Sequence, residues 1–420
     1  MKKFLLLSFT LFLSSCAPAI HSIQPQVNSH LMAHQYDEAL SSLGNNPLVY
    51  GKKNELLYWL DRGFILHVAG RYRESIDAFE RAKYKFDQLY TVSVHEIAGS
   101  FLINDYRESY RGHDAEYVWV NIFQALNYAA LGDIHESLVE ARQVDMKLRL
   151  VNDRYKDNPK NVYRDDAFAR MLMGILYQAD GGVQAEDDSR ISFAQATGVY
   201  QRDYSSNYGL TAPNLLNRVK EPLEPSKAYV YLIQYTGFAP TKIPNDIYLP
   251  AGGLLFTKIS FPSYIDHPSA FSQSSFVAHG KYTDVVYPTE VGEGIGSIAK
   301  QILENRKLLL GAKSVLRPGM KVAGEKVIGH QVEQQYGDLA ALGVDLLGTL
   351  YNLTTEQADL RSWETLPNEI RIARLVLEPG EYQFYVQNSD HYGNLVEKKD
   401  LGTIDIKAGD KKFFIVRTYL

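Results

Sequence analysis

The chain has 420 residues, of which 45% are hydrophobic and 12% aromatic, and its formal net charge is −5. This composition excludes a largely disordered protein, and the length is sufficient for two or three domains with cores of their own. A mildly acidic chain has no charge footprint for binding nucleic acid. The single cysteine excludes an internal disulfide and a zinc cluster built on cysteines.

The first 16 residues are organised as a secretory signal peptide that ends in a lipid-attachment site. Lys2 and Lys3 precede an apolar run from Phe4 to Leu13, and two serines then lead to Cys16. The run is far shorter than the roughly 20 residues that a membrane-spanning helix needs. The pattern resembles the cleavage site of bacterial lipoproteins, which implies that Cys16 carries acyl chains and anchors the mature chain to a bilayer. The alternative is an ordinary signal peptide followed by a chance cysteine.

Residues 1–15 are thus predicted to form the signal peptide, and residues 16–30 a short polar tether. In the lipoproteins that this chain resembles, an Asp directly after the cysteine commonly retains the protein in the inner membrane. Ala17 occupies that position here. We therefore expect attachment to the outer membrane on its periplasmic side, with exposure on the cell surface as the alternative.

Residues 31–217 show apolar residues at helical spacing, and a pattern of small and aromatic residues occurs three times within them. The first copy contains Trp59, Gly63, Gly70, Tyr72, Ser75, Phe79 and Ala82, the second contains Ala125, Tyr128, Gly132 and Ser137, and the third contains Gly174, Tyr177, Phe193 and Ala196. Small residues let two helix backbones approach, and the aromatic residues fill the space between them. The pattern resembles the tetratricopeptide repeat (TPR), so a TPR-like helical domain is predicted at 31–217.

The spacing of the copies departs from that of a tandem array. They lie 62 and 49 residues apart, from Gly63 to Ala125 and from Ala125 to Gly174, whereas TPR units repeat at about 34 residues. Extra helices or loops are therefore expected between the copies. We expect the groove of the array to present Leu66, Tyr128 and Tyr177 to a partner.

Three longer segments resemble a family of uncharacterised bacterial envelope lipoproteins with TPR-like N-terminal halves. They are YRGHDAEYVWVNIFQALNYAALGDIHESLVEARQ, DDAFARMLMGILYQ and EQADLRSWETLP. The resemblance implies an envelope lipoprotein with no assigned catalytic residue. Relatives encoded beside activators of penicillin-binding proteins imply a role in cell-wall assembly.

The connection between the first two copies is rich in aromatic and charged residues. It contains Tyr110, His113, Asp114, Glu116, Tyr117 and Trp119. Either this is a ligand-facing loop, or its aromatic side chains pack onto neighbouring helices. No metal site is predicted, because His113, Asp114 and Glu116 lack a zinc-type spacing.

The second half changes to alternating apolar and polar residues, which predicts strands at 218–290 and again at 363–420. A helical pattern at 291–362 separates the two strand regions. We expect the regions to join in one antiparallel β-sandwich-like domain, with the helical segment inserted between them. The predicted fold class is therefore multidomain α+β, with the helical repeat domain first.

One pair of residues has the spacing of a catalytic motif. Ser297 and Lys300 have the Ser-x-x-Lys spacing of penicillin-binding enzymes, but the companion motifs are absent from the sequence. A glycine-rich lead into a helix explains the same residues. At 359–364, we expect a buried Arg361 to pair with Asp359 or Glu364 beside Trp363 and to fix the junction between the insert and the final strands.

The sequence favours a non-enzymatic outer-membrane lipoprotein that acts as a scaffold for envelope proteins during peptidoglycan or surface-structure assembly. One alternative is an envelope hydrolase or transferase that acts on peptidoglycan or polysaccharide. Another is a glycan-binding lipoprotein, since the chain has 29 tyrosines. No cofactor is predicted, and the oligomeric state is left open.

Overall fold

The N-terminal half folds into helices that pair as antiparallel hairpins. The computed structural model describes residues 20–96, 108–154, 162–252, 255–267, 269–305 and 357–419. The main helices are α1 (Ile20–Met32), α2 (Tyr36–Leu43), α3 (Glu55–Val68), α4 (Tyr72–Glu96), α5 (Asp114–Leu131), α6 (Ile134–Arg154), α7 (Ala167–Asp180) and α8 (Val183–Val199). A π-helical turn (Tyr200–Tyr204) and two short helices, α9 (Ser205–Tyr208) and α10 (Leu215–Arg218), follow α8.

The hairpins α3–α4 and α7–α8 pack through a glycine against a phenylalanine. A Cβ placed on Gly63 would lie 2.5 Å from the Phe79 ring, and one on Gly174 would lie 2.4 Å from the Phe193 ring. Only glycine permits such close contact between the helices.

A serine near the start of the second helix closes two of the hairpins. The Ser75 hydroxyl donates to the Gly63 carbonyl at 2.7 Å, and the Ser137 hydroxyl donates to the Ala125 carbonyl at 2.6 Å. Both bonds span 12 residues, which matches the equal spacing of these positions in the sequence. Gly70 and Gly132 turn the chain with positive φ, and Ala82 and Ala196 are buried.

The predicted tether differs from the structure. We expected 16–30 to lack regular structure, but residues 20–32 form α1 despite Pro25 within it. Val27 and Leu31 are buried. They are four residues apart and therefore share one helix face, which packs into the same core as α2.

The second half forms two four-stranded sheets and a separate two-stranded ribbon. Its strands are β1 (Ala228–Thr236), β2 (Thr241–Gly252), β3 (Leu255–Ile265), β4 (Gln273–Gly280), β5 (Asp284–Pro288), β6 (Glu290–Glu293), β7 (Glu369–Leu377), β8 (Gly380–Ser389), β9 (Leu395–Ile406) and β10 (Lys411–Thr418). Sheet 1 has the order β10-β1-β7-β6, sheet 2 has the order β5-β4-β8-β9, and β2 pairs with β3. A further helix, α11, starts at residue 295 and is described to residue 305.

Strands from both sides of residues 306–356 pair with one another, β1 with β7 and β4 with β8. Both pairs are antiparallel, whereas β1 and β10 run parallel, so sheet 1 is mixed. Of the segment predicted as helical at 291–362, residues 291–293 belong to β6 instead, residues 295–305 form α11, residues 357–362 have no regular structure, and residues 306–356 lie outside the described residues.

Sheets 1 and 2 pack face to face as a sandwich. Phe414 of sheet 1 meets Phe276 and Phe384 of sheet 2, with ring centroids 5.9 and 5.1 Å apart. Alternate residues of β1, such as Val230 and Leu232, point into this core.

The other face of sheet 1 packs against the helices. Tyr231, Ile233 and Tyr235 of β1 belong to the same buried cluster as the interior residues of α3, α5 and α7. The predicted boundary at 217/218 therefore separates the helical region from the strand region, but both regions contribute to one buried core. The three layers are helices, sheet 1 and sheet 2.

Arg361 holds the junction before the final strands, as predicted. Its guanidinium pairs with Asp359 at 2.7 Å, and it also donates to the Asn54 side chain and the Glu108 carbonyl, both at 3.0 Å. The residue is 4% exposed. Asp359 is thus the acid partner of Arg361 in the structure.

Alanine substitutions at two helical glycines should have opposite effects on stability, because only one of these glycines lies in a close contact between helices. Gly63→Ala forces a methyl group into the buried Phe79 ring and should cost about 1–3 kcal/mol of unfolding free energy. Gly198→Ala in α8 meets no atom within 4 Å and should stabilise by about 0.5–1 kcal/mol. Urea denaturation of both variants checks this; equal effects would mean that α3 and α4 are not in close contact.

Candidate functional site

A solvent-exposed groove runs between α3 and α4. Its volume is about 640 Å³, and it is lined by Glu55, Trp59, Asp77, Glu80, Arg81, Tyr84, Lys85 and Gln88. The α4 residues recur every three or four positions and therefore share one helix face. Because the hairpin is antiparallel, the start of α3 lies beside the C-terminal part of this face. We call this surface the α3–α4 groove.

The α3–α4 groove combines aromatic rings with both signs of charge. The Arg81 guanidinium lies over the Trp59 ring, 4.8 Å from its centroid, and Lys85 pairs with Glu55 at 2.6 Å. Tyr84 is 67% exposed. An exposed tyrosine beside an arginine stacked on tryptophan offers a partner both apolar area and hydrogen bonds.

The residues that we expected to line a partner-binding groove are largely buried. Leu66 is 1% exposed and Tyr177 is 9% exposed, and Tyr128 is half-buried. Against these helices lies β1: the Tyr235 ring is 5.5 Å from Phe64 of α3. The expectation that Leu66 and Tyr177 face a partner is therefore wrong, because both side chains are buried. The Tyr177 hydroxyl accepts a bond from Arg142 of α6 at 3.0 Å.

A hydrogen-bond chain connects sheet 1 to three helices. His67 has both ring nitrogens bonded, Nε2 to the Tyr235 hydroxyl at 2.7 Å and Nδ1 to the Asn127 Oδ1 at 2.6 Å. Asn127 in turn donates to Ser75. Burial lowers the pKa of His67 to about 4, so the ring is neutral, with Nδ1 as donor and Nε2 as acceptor.

Asp61 is a second buried group that joins distant segments. Its carboxyl oxygens accept bonds from Thr365 at 2.8 Å and Tyr50 at 2.9 Å, and the residue is fully buried. Burial raises the pKa of Asp61 to about 7. The carboxyl is closed from solvent and bonded on both oxygens, which is a structural arrangement.

A third buried cluster contains two acids. Tyr163 donates to Asp166, which caps α7, and Tyr204 donates to Glu293 at 2.8 Å. Burial, reinforced for each by neighbouring carboxyl groups, raises the pKa of Asp166 to about 6 and that of Glu293 well above its usual range. Tyr204 lies in the π-helical turn, so the turn brings a donor to β6.

The aromatic side chains of the connection that leads into α5 pack onto neighbouring helices, which was the second of our two interpretations. Glu116 is 3% exposed and accepts bonds from the Tyr110 hydroxyl and the His113 backbone N–H. Tyr117 and Trp119 are also buried. These residues begin α5 and attach it to its neighbours.

The remaining candidates from the sequence are Ser297, Lys300 and Cys16. Lys300 forms an ion pair with Asp266 at 2.9 Å, and Ser297 lies within α11, whose first residue is 295. Cys16 lies outside the described residues. In the described ranges, histidine and acidic residues form no cluster of three that could hold a metal, and every helix is too short or too polar to span a membrane.

Comparison with protein-family models, with curated proteins and with solved structures finds no significant match.

Sequence reasoning included Trp59 but missed Arg81, Tyr84 and Lys85. The signal that could have found them is the face of α4 opposite Ser75, Phe79 and Ala82. That face carries charged residues and one large aromatic residue. It forms a groove only because α3 places Trp59 beside it.

The pKa of Asp61 predicts a pH-dependent stability. Between about pH 4 and pH 7 the folded state keeps a proton that the unfolded state has lost, so unfolding free energy falls as pH rises, by about 1.4 kcal/mol per pH unit for this group. Asp61→Asn cannot ionise and should reduce the slope by that amount. Urea denaturation at several pH values in this window measures the slope.

The exposed Asp405 provides the control, since Asp405→Asn should leave the slope as in the wild type. Equal slopes for the wild type and Asp61→Asn would show that Asp61 is already ionised when folded.

Proposed function

We propose that the protein is a non-enzymatic, lipid-anchored outer-membrane protein that binds a partner protein of the cell envelope through the α3–α4 groove. The observation that carries this proposal is the presence of Trp59, Arg81 and Tyr84 in one open groove. Tryptophan, arginine and tyrosine are the residues that most often dominate the energy of protein–protein interfaces. The anchor in this proposal is Cys16.

The charges of the groove support a partner of mixed polarity. Glu55 and Lys85 neutralise each other, and Glu80 pairs with Lys83. Asp77 and Arg81 add one charge of each sign to the lining. Such a surface selects a partner by matching charge positions around an apolar centre rather than by net charge.

We interpret the hairpins α3–α4, α5–α6 and α7–α8 as diverged TPR-like units. The glycine–phenylalanine contacts of Gly63 and Gly174 support this interpretation, as do the hydroxyl bonds of Ser75 and Ser137. In this proposal the inner side of the array is used for the chain's own sheet, and partner binding takes place on the outer side.

The buried acids support a binding role over an enzymatic one. Asp61, Asp166 and Glu293 are each fully buried and accept bonds from tyrosine or threonine hydroxyls. Their hydrogen bonds join separate segments of the chain, and their side chains are closed from solvent.

Site-specific photo-crosslinking in living cells tests the proposal. A photoreactive residue at position 84 should trap one envelope protein, identified by mass spectrometry, whereas the same residue at position 282 should not, although Tyr282 is 87% exposed. Arg81→Ala should reduce trapping by about tenfold or more, since it removes one of the three anchors.

Two results would contradict the proposal. One is an identical set of products from positions 84 and 282, which would indicate random collision. The other is the trapping of glycan alone at position 84, which would replace the scaffold with a glycan-binding lipoprotein.

A further inference from the structure

Arg417, at the end of β10, differs from the other buried arginines. Arg361 pairs with Asp359, and Arg374 donates to the Arg218 carbonyl at 2.7 Å. Arg417 is 1% exposed, and none of its three guanidinium nitrogens makes a hydrogen bond of good geometry. In the described residues, no carboxylate forms an ion pair with it.

Aromatic rings surround the Arg417 guanidinium. Its central carbon lies 4.7 Å from the Tyr419 ring centroid, 5.1 Å from Phe238 and 5.7 Å from Phe64. Rings attract a cation through their faces, and this leaves the in-plane N–H groups without acceptors. The Tyr419 phenol interacts with the guanidinium but supplies no negative charge, because burial raises the pKa of its hydroxyl.

A flanking lysine adds positive charge. The Lys399 ammonium donates to the Arg417 backbone carbonyl at 3.2 Å, and His34 packs on the Tyr419 ring at 5.1 Å. The nearby acid is Glu397, which accepts a bond from Asn388 at 2.7 Å. The two cations Arg417 and Lys399 thus outnumber one acid that is already engaged.

We propose that Arg417, flanked by Lys399 and enclosed by Tyr419 and Phe238, is a binding site for an organic carboxylate. A planar carboxylate matches the fork of guanidinium N–H donors in their own plane, and the rings accommodate the apolar body attached to it. Because Arg417 is 1% exposed, this proposal requires the turn between α1 and α2, which carries the exposed His34, to move aside for the ligand.

The cost of the unpaired charge supports this site. A buried ion without a counter-ion lowers stability, and apolar replacements of buried ionic groups often raise it. Arg417 is thus a residue that folding alone does not favour. A ligand that supplies the counter-ion accounts for an arginine at this position.

Thermal unfolding of the mature full-length chain at matched ionic strength tests the proposal. Benzoate on the order of 10 mM should raise Tm by about 2 °C or more, and the rise should grow with the logarithm of its concentration. Benzamide, the neutral equivalent, and inorganic phosphate should have little effect. N-acetyl-Ala-Ala, compared with its C-terminal amide, tells whether the carboxylate of a peptide chain is preferred over a small free acid.

Variants assign the effect to Arg417. Arg417→Met should keep or raise Tm without ligand and lose the benzoate effect, and Arg417→Lys should lose it while keeping the charge. Arg374→Met is the matched control, and should lower Tm but keep the benzoate effect.

The proposal is overturned if benzoate does not stabilise the wild type beyond benzamide, if phosphate is equally effective, or if Arg417→Met responds like the wild type. The first two outcomes need no variant, so they remain decisive even if the substituted chains fail to fold.

Discussion

The packing of α3 and α5 against β1 is the constraint on which the rest of the structure depends. Phe64 and Phe123 lie 5.0 Å apart, and each contacts Tyr235 of β1 and Trp363 of the junction before β7. Rings in edge-to-face contact bury large apolar areas in a fixed geometry. The bond between His67 and Tyr235 fixes how the helices and the sheet are aligned.

This packing decides which surface is available for binding. The inner faces of α3, α5 and α7 are covered by sheet 1, so a partner has access to the outer faces of the hairpins. There the α3–α4 groove presents Trp59, Arg81 and Tyr84. The same sheet has its second face covered by sheet 2, which leaves β1 buried on both sides and its sequence almost continuously apolar or aromatic.

The helical pairing could be predicted from the sequence because small residues mark close contacts. Gly63 and Ser75 can be recognised in the sequence as a pair. No larger residue fits at position 63, and the hydroxyl of Ser75 reaches the backbone of the partner helix. The change from helix to strand after residue 217 can also be recognised, because the period of the apolar side chains changes from 3.6 residues to 2. TPR-like units, lipid attachment at Cys16 and function remain proposals.

Other features depend on tertiary contacts that periodicity does not encode. The docking of α1 relies on Val27 and Leu31 finding a core contributed by later helices, and the sequence around Pro25 suggests a tether. Prolines 244, 250 and 262 lie within β2 and β3, which form a long two-stranded ribbon. Both strands of a two-stranded ribbon are edges, so prolines can occupy positions whose N–H needs no partner. The covering of the inner helix faces by β1 involves residues about 170 apart in sequence, such as His67 and Tyr235, which no local pattern reveals.

Native-state hydrogen exchange of the full chain tests most directly whether the helices and the sheets form one unit. The account predicts that the amides of α5 and β1 exchange with the same opening free energy and the same dependence on denaturant, because neither face can open without exposing Phe123 and Tyr235 together. Exchange of α5 at a clearly lower free energy, with β1 still protected, would contradict the account. The inner helix faces would then be free to receive a partner.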